Sequence, residues 1–423
     1  MNIINSSNKL NYLFLLCAAF IIFLNPYLAG PLSIISGQIF VLCFLAFFFF
    51  KVYFLDKNSF YINNKFLITI LILLVYPHII SFLTGAQPDL GLMKTQVSIL
   101  AMIMLGFSSI YISKISQLNS KLPLDLCKIF TTIVVLNSII VLFEFYSPPF
   151  RVLLESFLIE DGKVDYANGL RFRGLASAGG ASLSVAHGIS IPLMYYLFRK
   201  NYLGPLRLLL SIVIVFISLI FIGRTGFVVA FLGTLLVILL TKSNSEKTKI
   251  LSKMWVYIIL IGSIFLLSYA AVFFDSLPKF YQSYSINVFL GGAESLKSEG
   301  TIAKVLSFFS FPDNVWQIFF GTGNMSGGYE YGYDMPADPG FMKILTGYGI
   351  FGLLFYPGLV LWCFSLPKSY LRDILIICSI LLVCSEFKEP FIFKGYTSRF
   401  LWLLFGLTVY QRGLFTVKGF VKF

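Results

Sequence analysis

Four short stretches of this chain combine residue types that can bind anions or move protons. In the first, Asn168-Gly-Leu-Arg171-Phe-Arg173-Gly-Leu-Ala-Ser-Ala-Gly-Gly180, two arginines sit one residue apart among glycines. A guanidinium is a planar bidentate fork, and free backbone N–H groups beside it suit the oxygens of a phosphate or diphosphate. Lipid headgroups would satisfy the same pair. In the second, Gly223-Arg224-Thr225-Gly226, an arginine occupies a tight turn between two apolar runs. It either meets an anion at the membrane surface or snorkels to headgroups. The third, Asp338-Pro-Gly-Phe341, puts a carboxylate just ahead of an apolar segment. There it serves as a general base or as a helix N-cap, the latter worth ~1 kcal/mol. Glu330 and Asp334 precede it in a Gly- and Tyr-rich loop, where Tyr333, with Tyr329 and Tyr331, suits stacking on sugar rings. The fourth group is Glu386, Lys388, Glu389, Lys394 and Arg399. These residues either line a cavity dipping into one leaflet or pair with one another along a tilted helical continuation through Phe387–Phe393. His187, inside an apolar run, is a hydrogen-bonded packing residue or a second candidate base.

Apolar segments must position these groups. The chain has 423 residues, of which 58% are hydrophobic and only 12% charged, with a mean hydropathy of +0.86. A soluble domain of this length is excluded, and apolar runs long enough to span a bilayer recur throughout. The sequence therefore predicts an all-α polytopic membrane protein, one integral membrane domain over residues 1–423. Twelve spans are expected, near 10–28, 32–50, 66–84, 95–113, 128–146, 181–198, 206–222, 225–241, 254–273, 341–364, 373–387 and 399–415. The eleventh has about fourteen apolar residues, roughly 21 Å of helix, short of a ~30 Å hydrocarbon core.

Orientation follows from lysine and arginine. With the N-terminus inside, one face collects 19 of the 32 basic residues against four acids (Asp56, Asp125, Glu246, Asp373). Basic excess marks the cytoplasmic side, which puts both termini inside. Two long loops, about 147–180 and 274–340, then face out. Within them Arg151–Ile159 and Ile302–Phe309 each show an apolar helical face, suited to the interface or to packing on the bundle. The net charge of +13 is spread between spans and forms no basic stripe, so topology accounts for it and nucleic acid does not. The six cysteines give neither a disulfide framework nor metal-ligand spacing. Gly321-x-Gly-x-x-x-Gly327 lacks the βα context of a nucleotide loop.

Taken together, the chain resembles the O-antigen polymerase (Wzy) family within the O-antigen polymerase/ligase superfamily. The resemblance rests on Arg171/Arg173-Gly174 entering a span, on Gly223-Arg224-Thr225-Gly226 between two spans, and on Gly321-Thr-Gly323 followed by Asp338-Pro-Gly340-Phe341 and Gly347-Tyr-Gly349. It implies a fold of the GT-C type of lipid-linked glycosyltransferase, in a bacterial inner membrane, with the active site facing the periplasm. The implied reaction is metal- and cofactor-independent transfer of a glycan from undecaprenyl diphosphate onto a lipid-linked repeat unit. The lipid-linked oligosaccharides are then donor and acceptor, membrane lipids surround them, and a chain-length regulator protein is a further partner. In those terms Asp338 is the first candidate base and His187 the second. Arg171, Arg173, Arg224, Glu330, Tyr333, Asp334, Glu386 and Arg399 would contact substrate. An O-antigen ligase and a lipid-linked oligosaccharide flippase are the alternatives. The loop 274–340 contains no histidine, which favours polymerase over ligase within that resemblance.

Overall fold

The structure is a computed structural model. It describes residues 20–24, 26, 59–60, 64–85, 90–115, 122–158, 172–177, 180–223, 225–241, 314–325, 340–365, 371–388, 391–392, 395–410 and 417–418. Eleven labelled helices occur among the described residues. They are α1 (Asn64–Thr84), α2 (Leu90–Ile115), α3 (Leu122–Tyr146), α4 (Pro148–Phe157), α5 (Ala181–Arg199), α6 (Pro205–Ile222), α7 (Thr225–Leu240), α8 (Val315–Phe320), α9 (Gly340–Ser365), α10 (Arg372–Ser385) and α11 (Tyr396–Tyr410). Residues 20–24 form a further helical turn. The only β-structure described is a two-residue antiparallel pair, β1 (Ser59–Phe60) with β2 (Val417–Lys418).

Among the described residues four helices have the length and hydropathy to cross a membrane: Pro123–Tyr146, Ala181–Arg199, Pro205–Ile222 and Gly340–Trp362. The chain is a helical membrane protein. Nine of the predicted spans coincide with described helices within a few residues, and the first overlaps the turn at 20–24. Those at 32–50 and 254–273 lie outside the described residues.

Helix α5 is the axis of the bundle. It is apolar all round, and eighteen of its nineteen residues are buried, as a helix enclosed on every side requires. It packs on α3, α6, α7, α10 and α11. Gly188 faces Gly226 across the contact with α7, and Gly233 of α7 lies against Pro192. Small residues permit such contact in lipid, where the hydrophobic effect does not drive helices together. The phenylalanines Phe23, Phe130 and Phe400 bring the turn at 20–24, α3 and α11 together, with ring centroids 4.1 Å apart for Phe130–Phe400 and 5.3 Å for Phe23–Phe130. At the end carrying the C-terminus of α5, the Arg199 Nη1 donates to the last carbonyls of α7, Val237 (2.8 Å) and Ile238 (3.2 Å). Next to it, burial holds the Lys200 ammonium below its ordinary range, against the opposing pull of Asp373.

Two features add to the sequence expectations. The tenth span is not one continuous rod: α9 breaks at Gly349, where φ is 70° and ψ is −166°. The other concerns the described end of the stretch 274–340, which packs into the protein. After α8, residues Gly321–Met325 turn inward, and Gly321, Gly323, Asn324 and Met325 are buried. The two features have one cause. The Thr322 N–H donates to the Thr346 carbonyl (2.7 Å) and the Gly323 N–H to that of Gly347 (3.1 Å). The Thr322 hydroxyl adds a bond to the Thr346 carbonyl (3.0 Å). Broken helix backbone that is buried must find partners inside the protein, and the Gly321-Thr-Gly323 turn supplies them. Tyr76 of α1 fastens the same turn, its hydroxyl donating to the Phe320 carbonyl (3.0 Å).

The surface helix α4 matches expectation. Ser147 caps it through its hydroxyl, and Pro148 sits at its start, where a missing N–H costs nothing. Val152, Leu153 and Phe157 are exposed while Leu154 is buried, an amphipathic arrangement that suits the membrane interface.

Candidate functional site

Polar groups gather at the opposite end of the bundle. Here the N-termini of α5, α7, α9 and α11 meet the C-terminal portions of α3, α6, α10 and the turn at 20–24. A helix N-terminus carries unpaired N–H groups and a partial positive charge, so this end favours anions.

The loop 172–177, which carries Arg173, is fixed almost residue by residue. The Phe172 N–H donates to the Phe221 carbonyl at the end of α6 (3.4 Å), and the Ser177 N–H to Leu24 (3.1 Å). Two side chains of α3 clasp the middle. Glu144 Oε2 accepts from the Gly174 N–H (2.8 Å). Asn137 Oδ1 accepts from the Leu175 N–H (2.9 Å), while its amide nitrogen donates to the Arg173 carbonyl (3.4 Å). Gly174 has φ of +59°, and a Cβ there would lie 2.5 Å from Asn137 Oδ1. Arg173 is 3% exposed, and its guanidinium donates through Nη1 to the Ser177 carbonyl (3.1 Å). Ser177 also pairs with the Tyr396 hydroxyl at the start of α11 (3.0 Å).

The second motif is held from α5. The Ser184 hydroxyl donates to the Gly223 carbonyl (2.5 Å) and accepts from the Gly226 N–H (2.7 Å), bridging the turn on either side of Arg224. Lys388 reaches the same turn, its Nζ donating to Thr225 Oγ1 (3.2 Å). Phe172 links the two motifs through its bond to Phe221, two residues before Gly223.

Glu386 is buried at the end of α10, where the helix gives way to a turn at 386–388 in place of a continuation through Phe393. Its Oε1 accepts from the Phe391 N–H (2.5 Å) and from that of Ile392, and its carbonyl accepts from Phe341 at the start of α9 (3.2 Å). Glu386 thus ties α9, through its carbonyl, and the approach to α11, through its carboxylate, to the end of α10. Arg399 donates to the Ile22 carbonyl (3.0 Å), capping the turn at 20–24. His187 is fully buried in α5: its Nδ1 bonds the Leu183 carbonyl (2.9 Å), so the proton sits on Nδ1, and Nε2 has no partner among the described residues.

Of the candidates from sequence, Arg173, Glu386 and Arg399 come together at this end, and His187 lies one turn deeper in α5. Arg171, Arg224, Glu330, Tyr333, Asp334 and Asp338 lie outside the described residues. Glu144 and Asn137 escaped the sequence reading, although a carboxylate and an amide inside an apolar span were signal enough. Among the described residues no three His, Cys, Asp or Glu are grouped to hold a metal ion.

Fold and site define a class, a helical membrane protein with a rigid polar end built from helix N-termini, a buried arginine loop and a glycine-flanked turn. No family model, no curated protein and no solved structure matches the chain.

Proposed function

We propose that the chain is a polysaccharide polymerase of the O-antigen type. It transfers a growing glycan from undecaprenyl diphosphate onto the non-reducing sugar of a lipid-linked repeat unit, at the outer face of a bacterial inner membrane. The observation that carries this is the joining of the Arg173 loop and the Gly223–Gly226 turn at one bundle end, among four helix N-termini. The donor's leaving group is a lipid diphosphate, and fixed cations and N–H dipoles that stabilise charge on its bridging oxygen are the main catalytic contribution. Arg171, Arg173 and Arg224 take that role. The acceptor hydroxyl needs a base, Asp338 first and His187 second. Glu330, Tyr333 and Asp334 contact the sugars.

Deleting the gene and separating the surface polysaccharide on a gel tests this reading. A lost polymerase leaves lipid core capped by a single repeat unit; bare core contradicts it and points to a ligase or flippase. Orientation has its own check. A reporter active only outside the membrane should work when fused after Gly162 or Gly292 and stay silent after Asn244.

One feature favours a second reading. Discontinuous helices such as α9 form substrate sites in secondary transporters. A flippase for the same lipid-linked oligosaccharide would use this end to hold the diphosphate without breaking any bond.

A further inference from the structure

Glu144 is a carboxylate inside an apolar helix, 4% exposed, and it is spent on a loop backbone thirty residues away in sequence. A buried polar acceptor stays only where it is paired, and the Gly174 N–H supplies that pairing. What distinguishes its target is that Gly174 directly follows Arg173. Asn137 grips the flanking carbonyl of Arg173 and the N–H of Leu175 from the same helix. Between them the two α3 side chains set the backbone on both sides of Gly174, whose φ of +59° aims the loop.

We propose that Glu144 is the positioning residue of the arginine loop: by fixing the Gly174 backbone, it holds the loop that carries Arg173, whose guanidinium is buried against the Ser177 carbonyl, in the one arrangement that a lipid diphosphate headgroup meets. Glu144 itself touches no substrate. The inference rests on the proposed anion-binding role of this end. Geometry, more than charge alone, then governs the preference for a diphosphate over a monophosphate. A two-phosphate group must meet several donors at once, whereas a single phosphate is satisfied by one.

The test uses the full-length protein in detergent, with farnesyl diphosphate and farnesyl monophosphate as probes and thermal unfolding measured alongside. The wild type should prefer the diphosphate. Glu144→Gln keeps an acceptor at the same reach and should bind within about threefold of wild type. Glu144→Asp is one methylene too short; it should lose about tenfold or more in diphosphate affinity, the worth of roughly one hydrogen bond, and lose the preference over monophosphate. Gly174→Ala moves the same loop from the other side and should reproduce that loss, which covers an Asp variant that does not fold. Unchanged affinity and preference in folded Glu144→Asp or Gly174→Ala, with only a lower unfolding temperature, would overturn the inference and leave a purely structural role. Absence of diphosphate binding in the wild type would overturn the reading of the site, and this inference with it.

Discussion

On the proposed reading, Arg173→Ala should abolish polymer while leaving the protein level unchanged. Removing a donor that stabilises a transition-state oxyanion costs ~2.7–4 kcal/mol of barrier, ~100-fold or more in rate. Lysine separates two mechanisms at this position. It keeps the charge and loses the fork, so a bidentate clamp stays badly impaired, whereas a general headgroup contact recovers nearly fully. Arg173→Lys and Arg224→Lys should both fail, and Arg171→Lys should be partly tolerated. Chain-length distributions of surface polysaccharide from cells carrying each variant measure this. Near-normal chains in all three alanine variants would remove the diphosphate clamp.

A second large effect is expected at the break in α9. Gly349 has φ of 70°, and a Cβ there would press on the Phe319 backbone and lie 2.6 Å from the Gly321 nitrogen. An alanine at positive φ costs on the order of 1–3 kcal/mol, and backbone displacement at the Gly321–Gly323 turn adds about as much. Together these approach the ~5–15 kcal/mol that holds a typical fold. Gly349→Ala should therefore lose its monodisperse peak on size-exclusion chromatography in detergent. Gly358→Ala on the same helix should keep it, because a Cβ at Gly358 meets nothing within 4 Å. Equal behaviour of the two variants would contradict the account of the turn as the partner of the broken helix.

The apolar runs made the spans legible. The sequence predicts helices over 181–198 and 206–222, and α5 and α6 occupy Ala181–Arg199 and Pro205–Ile222. A helix in lipid needs an unbroken apolar run of about its own length, so composition alone locates it. The break at Gly349 was not legible for the same reason. Gly347-Tyr-Gly349 sits inside such a run, and no periodicity records that Gly321–Gly323 returns to pair with it. The clasp on the arginine loop was hidden by distance along the chain, since Glu144 and Asn137 lie 30 and 38 residues from Gly174 and Leu175. Glu386 illustrates the limits of charge as a guide. Sequence left it open as a substrate-facing group or one of a charge pair, and its Oε1 is occupied by the Phe391 and Ile392 N–H groups. Within a membrane, a carboxylate that caps loop backbone and one that binds sugar look alike until the loop is folded.

Reconstitution tests the central claim most directly. The purified protein is placed in liposomes with an undecaprenyl-diphosphate-linked repeat unit as the sole glycan, and the lipid-linked products are separated by size. The account predicts glycans of two or more repeats together with released undecaprenyl diphosphate, in the absence of metal and nucleotide. Lipid-linked glycan that stays one repeat long while changing leaflet would contradict it and identify a transporter.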